Sequence, residues 1–427
     1  MLSVKRRAPV WRGPGMSGLR GAAVRLSVGV CAVFGLLSGC VSGGREALSS
    51  NTPQAAHAGG DAKERFKLGL RYLTGRGAPH DERGAATLFQ QACSGGEALG
   101  CAGLGDLYEK GRGVAKDEGR AAALYEQACT GGVSRACFNL GLLYAKGMGV
   151  AKDEGRAATL FEQACTGGAA LGCSNLGVLY AKGMGVAKDE GRAATLFEQA
   201  CTGGVSRACG SLGLLYAKGM GVAKDEGRAV TLFEQACTGG VAQECFNLGI
   251  AYSWGRGVPQ DERRAATLFE QACKDGHALG CSALGNLYAQ GLGVPQDERR
   301  AATLYERACS EGDASGCSTL GTLYAQGLGV PKDERRAATL YAQACGEAAQ
   351  GCFNLGMLYA QGLGVPKDER RAATLYEQAC SDGEMRGCFN LGSLYAQGLG
   401  VPKDERRAAT LYEQACRAGM SEACARR

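Results

Sequence analysis

The sequence has few of the residues that usually build catalytic sites and large mixed cores. Of 427 residues, only 3 are His, 2 are Trp and 9 are Pro, and aromatic residues make up 7% of the chain. None of the histidines recurs at a regular interval, which argues against a repeated metal site. Gly and Cys are abundant instead, at 69 and 22 residues. A chain of this length usually forms two or three globular domains, but this composition argues against that division.

The body of the chain also lacks an excess of either charge. The formal net charge is +6, but six of the 48 basic residues precede residue 40, in a stretch without Asp or Glu. Removing those six leaves 42 basic residues, which equals the 42 acidic residues. A basic surface for phosphate backbones is therefore missing, and we expect no nucleic-acid partner.

The amino terminus has the features of an export signal. The apolar segment 26–37 follows a basic stretch, and it is too short to span a bilayer. The Leu-Ser-Gly-Cys sequence ending at Cys40 resembles the lipobox of bacterial lipoproteins, in which the cysteine is lipidated and becomes the mature amino terminus. We therefore expect residues 1–39 to be a lipoprotein signal peptide and residues 40–62 to be the lipidated cysteine and a flexible tether. An ordinary secretory signal cleaved near Gly39 is the alternative.

Residues 63–427 are organised as about ten internal repeats. Each unit has two cysteines, and equivalent cysteines lie 36 residues apart except at one step of 35. The unit from Cys137 to Gly172 reads CFNLGLLYAKGMGVAKDEGRAATLFEQACTGGAALG. A fixed period of this length is typical of solenoid proteins, in which each unit packs only on its neighbours.

Each unit contains two short amphipathic segments. In the first, Leu140, Leu143 and Tyr144 share one side, and a Gly-x-Gly sequence then ends the helix. Asp153 is the expected N-cap of the second segment, whose apolar residues recur at helical spacing. Since isolated helices of this length are marginal, packing between units has to stabilise them. The pattern predicts an all-α solenoid.

The recurring motifs are Leu-Gly-x-Leu-Tyr, Gly-x-Gly-Val, Asp-Glu-x-x-Ala-Ala and Glu-Gln-Ala-Cys. They resemble the Sel-one-like (Sel1-like) repeat family, relatives of the tetratricopeptide repeat, over about residues 65–424. The resemblance implies a right-handed superhelix, and the paired cysteines point to the cysteine-rich secreted branch of bacterial envelopes. Some members of that branch are associated with penicillin binding and β-lactamase activity, which here follows from the resemblance alone.

The cysteines of the repeats predict ten local disulfides. Each pair joins the end of one second helix to the start of the next first helix, where a short turn brings the two within bonding distance. An exported protein also meets an oxidising compartment. Structural zinc is the alternative, although it usually needs closer spacing and four ligands. The predicted pairs are Cys93 and Cys101, Cys129 and Cys137, Cys165 and Cys173, Cys201 and Cys209, Cys237 and Cys245, Cys273 and Cys281, Cys309 and Cys317, Cys345 and Cys352, Cys380 and Cys388, and Cys416 and Cys424.

One face of the first helix is a candidate binding surface. The third, sixth and tenth residues, with Cys counted as first, lie within about 60° of one another. By resemblance to tetratricopeptide solenoids this face lines a concave groove. The sixth residues are mostly apolar in the first half of the array and largely polar in the second. The partner-binding residues predicted on this face are Asn139, Lys146, Asn175, Lys182, Lys218, Asn247, Trp254, Asn354 and Asn390. A solvated polar face and local helix stability are the alternative explanations for the Asn and Lys rows.

The sequence favours a noncatalytic envelope lipoprotein whose rigid solenoid binds a protein, a peptide or cell-wall material. No serine or zinc hydrolase motif occurs, and we expect no cofactor, metal or catalytic residue. A penicillin-binding or β-lactamase-type hydrolase is the alternative. Val41 after Cys40 lacks the Asp associated with inner-membrane retention in some bacteria, so we expect lipid anchoring to the outer membrane.

Overall fold

The computed structural model describes residues 61–426. Within this range the chain forms 21 α-helices and no β-strand. Twenty of the helices pair into ten helix–turn–helix units, which confirms the predicted all-α solenoid. The predicted signal peptide, Cys40 and nearly all of the tether lie outside the described residues.

Each unit consists of an odd-numbered first helix and the even-numbered second helix that follows it. The first helices of units 1 to 10 are α1 Ala62–Thr74, α3 Ala98–Lys110, α5 Ser134–Lys146, α7 Ala170–Lys182, α9 Ser206–Lys218, α11 Ala242–Trp254, α13 Ala278–Gln290, α15 Ala314–Gln326, α17 Ala349–Gln361 and α19 Met385–Gln397. The second helices are α2 Glu82–Ser94, α4 Glu118–Thr130, α6 Glu154–Thr166, α8 Glu190–Thr202, α10 Glu226–Thr238, α12 Glu262–Lys274, α14 Glu298–Ser310, α16 Glu334–Ala344, α18 Glu369–Ser381 and α20 Glu405–Arg417, and a last turn α21 spans Ser421–Cys424.

Every second helix begins at an aspartate cap. In α6 the side chain of Asp153 accepts a hydrogen bond of 2.9 Å from the backbone N–H of Arg156, as the sequence predicts. The same cap starts the other nine second helices. Loss of such a cap lowers the free energy of unfolding by about 1 kcal/mol, so the ten caps together contribute to the stability of the array.

The glycine turn between the two helices also joins neighbouring units. Gly147 and Gly149 have φ angles of 70° and 69°, which L side chains rarely adopt. A Cβ on Gly149 would lie 2.2 Å from the backbone carbonyl carbon of Glu118, at the start of the preceding second helix. The turn of one unit therefore rests directly on the backbone of the unit before it.

Within a unit, a ring of the second helix packs against a glycine of the first. A Cβ on Gly141 would lie 2.7 Å from the Cε1 atom of Phe161, a ring that is itself buried. The equivalent glycine and ring make the same contact in the other nine units. The two helices of each unit therefore approach closely, and the aromatic ring of the second helix belongs to the core of the unit.

All ten predicted disulfides are present. Cys165 and Cys173, for example, have Cα atoms 4.6 Å apart, and their sulfurs are bonded. The other nine predicted pairs are bonded in the same local manner, so the zinc alternative is wrong. The pair Cys345 and Cys352, which is one residue closer in sequence, follows α16, a helix of 11 residues where the others have 13.

Arginines on the second helices connect neighbouring units at the surface. The guanidinium of Arg228 lies 4.6 Å from the ring centre of Tyr216 and 2.7 Å from a carboxylate oxygen of Glu198 in the preceding unit. Since both charged groups are about half exposed, each such ion pair contributes little by itself.

We predict that each disulfide stabilises the array measurably. Replacing Cys165 and Cys173 together by Ala should lower the free energy of unfolding by about 2.5 kcal/mol, because a loop of about nine residues is no longer closed in the unfolded chain. Urea unfolding followed by circular dichroism measures this. The difference from wild type should vanish in dithiothreitol, and equal stabilities of the two oxidised proteins would contradict the prediction.

Candidate binding face on the first helices

The exposed stripe of each first helix contains four positions. In α5 they are Arg135, Asn139, Leu142 and Lys146, whose spacing of four, three and four residues keeps them within about 60° of one another. Arg135 and Lys146 are exposed, whereas Asn139 and Leu142 are half-buried between neighbouring helices. We call this stripe, repeated on the ten first helices, the first-helix face.

The first-helix face lies on the tighter side of the stack. First helices of successive units contact each other at α1 and α3, at α13 and α15, and at α15 and α17. No two second helices among those described contact each other as extensively. This difference agrees with the expectation that the first helices line the inner side of the array.

The sixth residue of the face is the partner of the ring behind it. The Tyr125 hydroxyl donates to a carboxylate oxygen of Asp106 at 2.6 Å, and the Tyr305 hydroxyl donates to the amide oxygen of Asn286 at 2.6 Å. Burial is the main cause that raises the pKa of both tyrosines, so they remain protonated donors. Where the ring is Phe, the sixth residue is apolar in all five units.

The remaining tyrosine units follow the same rule with one variation. Thr322 lies 3.1 Å from the Tyr341 hydroxyl, and Ser393 accepts from Tyr412 at 3.2 Å. Opposite Tyr376 the sixth residue is Met357, and the amide of Asn390 in the next unit lies near both the Tyr376 hydroxyl and the Met357 sulfur. The polarity of the second half of this row is therefore set by the tyrosine behind each position, not by the needs of a ligand.

Most of the predicted Asn row takes part in contacts within the solenoid. Asn139 donates to Asp106 at 3.2 Å, and Asn390 donates to the Met357 sulfur at 3.7 Å, each reaching the preceding unit. Asn247 donates to Glu244 at 2.8 Å, and Asn354 accepts from Gln350 at 2.9 Å. Within residues 61–426, Asn175 makes no side-chain hydrogen bond. Four of the five amides therefore form hydrogen bonds within the solenoid, and partner binding by this row stays a prediction.

All side chains of the tenth-residue row are exposed, and its lysines have no acidic partner within the described residues. Lys146, Lys182 and Lys218 form no ion pair with any residue between 61 and 426. The loop lysines differ, since Lys152 lies 2.6 Å from a carboxylate oxygen of Glu154. The tenth-residue lysines lie in the last turn of their helices, where a cation favours the helix dipole, but no carboxylate neutralises them.

Trp254 continues this row at the centre of the array. Its side chain is 58% exposed, and the guanidinium of Arg256 lies 5.1 Å from the centre of its ring. The structure thus places the indole at the surface, as the sequence predicts. One ring face is shielded by a cation, which leaves the rest of the ring available for contact.

The sequence prediction missed the fourth position of the stripe, two residues before the cysteine. Leu99, Leu171 and Leu279 occupy it in units 2, 4 and 7 and are among the most exposed apolar side chains of the described chain. Arg135 and Arg207 occupy it in units 3 and 5. Counting helix positions backward from the third residue by one turn would have found this row.

The described residues give no other candidate site of comparable definition. No group of three His, Cys, Asp or Glu side chains between residues 61 and 426 is arranged to hold a metal ion. In the same part of the chain, no helix is both long enough and apolar enough to cross a membrane. Glu244 is the only buried carboxylate on a first helix of units 3 to 6. Its burial raises the pKa of the carboxyl group.

A helical solenoid that is crosslinked by disulfides and exposes the same face on every unit has the architecture of a binding scaffold made of repeats. The profile of the Sel1 repeat matches ten segments of the chain: 65–97, 98–133, 134–168, 170–205, 206–241, 245–277, 278–313, 314–346, 349–384 and 386–420. The chain therefore belongs to the Sel1 repeat family. Proteins of this family are typically scaffolds for protein–protein interactions.

Two solved structures show the same fold. A protective antigen of uropathogenic Escherichia coli, c5321, is 30% identical, with 87% of this chain and 79% of that chain covered and a TM-score of 0.74. A Sel1 repeat protein from Oxalobacter formigenes is 26% identical, with 71% and 89% covered and a TM-score of 0.59. Helicobacter pylori cysteine rich protein B is 32% identical over 30% of this chain and 94% of its own, with a TM-score of 0.26. Among curated proteins, no sequence matches this chain.

We predict that the ring and the sixth residue can be exchanged only as a pair. Phe161→Tyr should cost about 1–3 kcal/mol of unfolding free energy, because the new hydroxyl is buried behind Leu142 without a partner. Adding Leu142→Asn reproduces the natural pair of Asn286 and Tyr305 and should restore most of the loss. Urea unfolding of the two single variants and the double variant measures the coupling. Additive effects would contradict the pairing.

Proposed function

We propose that this protein is a noncatalytic lipoprotein of the bacterial cell envelope whose first-helix face binds a protein or peptide partner. The exposed lysine row and Trp254 carry the proposal, because the lysines have no ion-pair partner among the described residues and the indole is largely exposed. Family membership supports a binding role, and none of the described residues favours the hydrolase alternative.

Export and anchoring are supported by the chemistry of the cysteines. Ten disulfides are stable in an oxidising compartment and are rare in the cytosol. The Leu-Ser-Gly-Cys sequence ending at Cys40 fits lipid attachment, and Val41 favours the outer membrane. The similar Escherichia coli structure is that of a protective antigen, which agrees with an envelope location.

The solenoid fits the role of a rigid ligand-presenting surface. Nine of the ten disulfides span a joint between units, and the glycine turns of units 2 to 10 rest on the preceding second helix. These restraints hold neighbouring first helices in one arrangement, so that a ligand crossing several units meets a preorganised face. A protein or peptide is the partner we favour, and cell-wall material is the alternative.

We predict that Cys40 is acylated. Labelled palmitate should be incorporated into the wild-type protein and not into Cys40→Ser, because the thiol is the only attachment point. Cells producing either protein are labelled, and the purified protein is analysed for radioactivity. Replacement of Cys31 by Ser should leave the label in place, whereas equal labelling of the Cys40→Ser variant would refute lipid attachment there.

We predict that Trp254 lies in the partner contact. Trp254→Gln introduces the residue found at the equivalent Gln290, so the fold should be unaffected. Truncating a central aromatic anchor costs about 2 kcal/mol, which corresponds to about 30-fold weaker binding. In-cell crosslinking with mass spectrometry should recover a partner with wild type and lose it with the variant.

The matched control for this experiment is Arg256→Gln. This substitution removes the cation over the indole but leaves the ring exposed, so it should weaken the crosslink much less than Trp254→Gln. If the same partner is recovered at equal yield with Trp254→Gln, the first-helix face of unit 6 is not part of the interface.

A further inference from the structure

The first helices of units 3 to 6 together carry a net positive charge, as does α1, with four cations and one carboxylate, whereas α3 carries one cation and two carboxylates. The first helices α5, α7, α9 and α11 together carry five cations and one carboxylate, and that carboxylate, Glu244, is only 5% exposed. The first helices α13, α15 and α17 carry no charged residue. The five cations are Arg135, Lys146, Lys182, Arg207 and Lys218.

None of these five cations is neutralised by another described residue. No ion pair within residues 61–426 includes them, although the loop lysines Lys152, Lys188 and Lys224 all pair with a glutamate at 2.6–2.7 Å. Like charges held at successive first helices repel one another and gain from an anionic ligand. The face of units 3 to 6 is therefore electrostatically complementary to an acidic partner.

An apolar row lies beside the cations and restricts the class of ligand that fits this face. The sixth residues of units 3 to 6 are Leu142, Val178, Leu214 and Ile250, all half-buried. Trp254 ends the tenth-residue row in the same four units. A polysaccharide or a nucleic-acid backbone carries anions but no aliphatic side chains for such a row. A polypeptide with carboxylates and aliphatic side chains satisfies both rows.

We propose that the first-helix face of units 3 to 6 binds an acidic, extended peptide segment that also carries aliphatic side chains. The inference rests on the proposed binding function and specifies its ligand class. Packed helices lie about 8–10 Å apart, so four successive first helices span at least roughly 30 Å. An extended chain rises about 3.3 Å per residue, so the bound segment is at least about nine or ten residues long.

The test uses defined peptides and the oxidised protein. The probe is a fluorescein-labelled peptide of four Glu-Val-Pro triplets, whose polyproline II conformation extends about 37 Å and presents a carboxylate every third residue. Fluorescence anisotropy should show binding that is at least about tenfold tighter than that of the matching Gln-Val-Pro peptide. Replacing Val by Ser in the acidic probe should also weaken binding, because the apolar row loses its contact.

The protein variants locate the site. Lys146→Gln/Lys182→Gln/Lys218→Gln gives units 3 to 5 the tenth residue that units 7 to 10 have naturally, and it should weaken binding of the probe about tenfold. Lys152→Gln/Lys188→Gln/Lys224→Gln makes the same change in net charge and should leave binding within about twofold. Circular dichroism and disulfide mapping confirm that both variants fold.

A third variant separates position from net charge. In this variant, Gln290, Gln326 and Gln361 are replaced by Lys in addition to the three Lys-to-Gln changes of the first variant. The original net charge is then regained, but on units 7 to 9, where the sixth residues are Asn, Thr and Met. Binding should stay weak. Full recovery, equal loss with the loop variant, or equally tight binding of a twelve-nucleotide oligothymidylate would overturn the proposal.

Failure of this inference is distinguishable from failure of the proposed function. If the acidic probe does not bind, yet the in-cell crosslink still depends on Trp254, the face binds a partner of different chemistry and only the ligand class is wrong. If neither the probe nor the crosslink depends on the first-helix face, the binding function itself is assigned to the wrong surface.

Discussion

The contact between an aromatic ring and a glycine determines most of this architecture. Because Gly141 has no side chain, the ring of Phe161 lies against the backbone of the first helix, and the two helices of the unit approach closely. The same contact in every unit fixes the position of each first helix relative to its second. The glycine turn of each following unit then contacts the preceding unit. Because these contacts repeat, local packing determines the arrangement of the whole array.

The ring contact also determines part of the exposed surface. A tyrosine ring needs a hydrogen-bond partner for its hydroxyl, and the sixth residue of the first helix, or Asn390 for Tyr376, provides it. Phe rings need none, so the sixth residue can be aliphatic. The apolar and polar halves of the inner side therefore follow from the choice between Phe and Tyr in the core. The tenth residue is free of this constraint, which makes its lysine row the better indicator of a ligand.

The disulfides connect the fold to the expected location of the protein. Short helices with small residues bury little surface each, and closing ten loops compensates by restricting the unfolded chain. That solution is available to an exported protein, where thiols are oxidised. These features agree with the proposed lipid-anchored surface and with the acidic peptide proposed as its ligand.

The helices, the unit length, the aspartate caps and the disulfide pairs are predictable from the sequence, because each depends on residues close together in the chain. The exposure of Trp254 and the lysines followed from helical spacing, for the same reason. Only the tertiary structure revealed why the sixth residue alternates between polar and apolar, since its partner lies 19 residues away on another helix. It also showed that Asn139 and Asn390 reach the preceding unit, and that the exposed stripe begins before the cysteine. These features depend on how helices pack, which periodicity along a single helix does not encode.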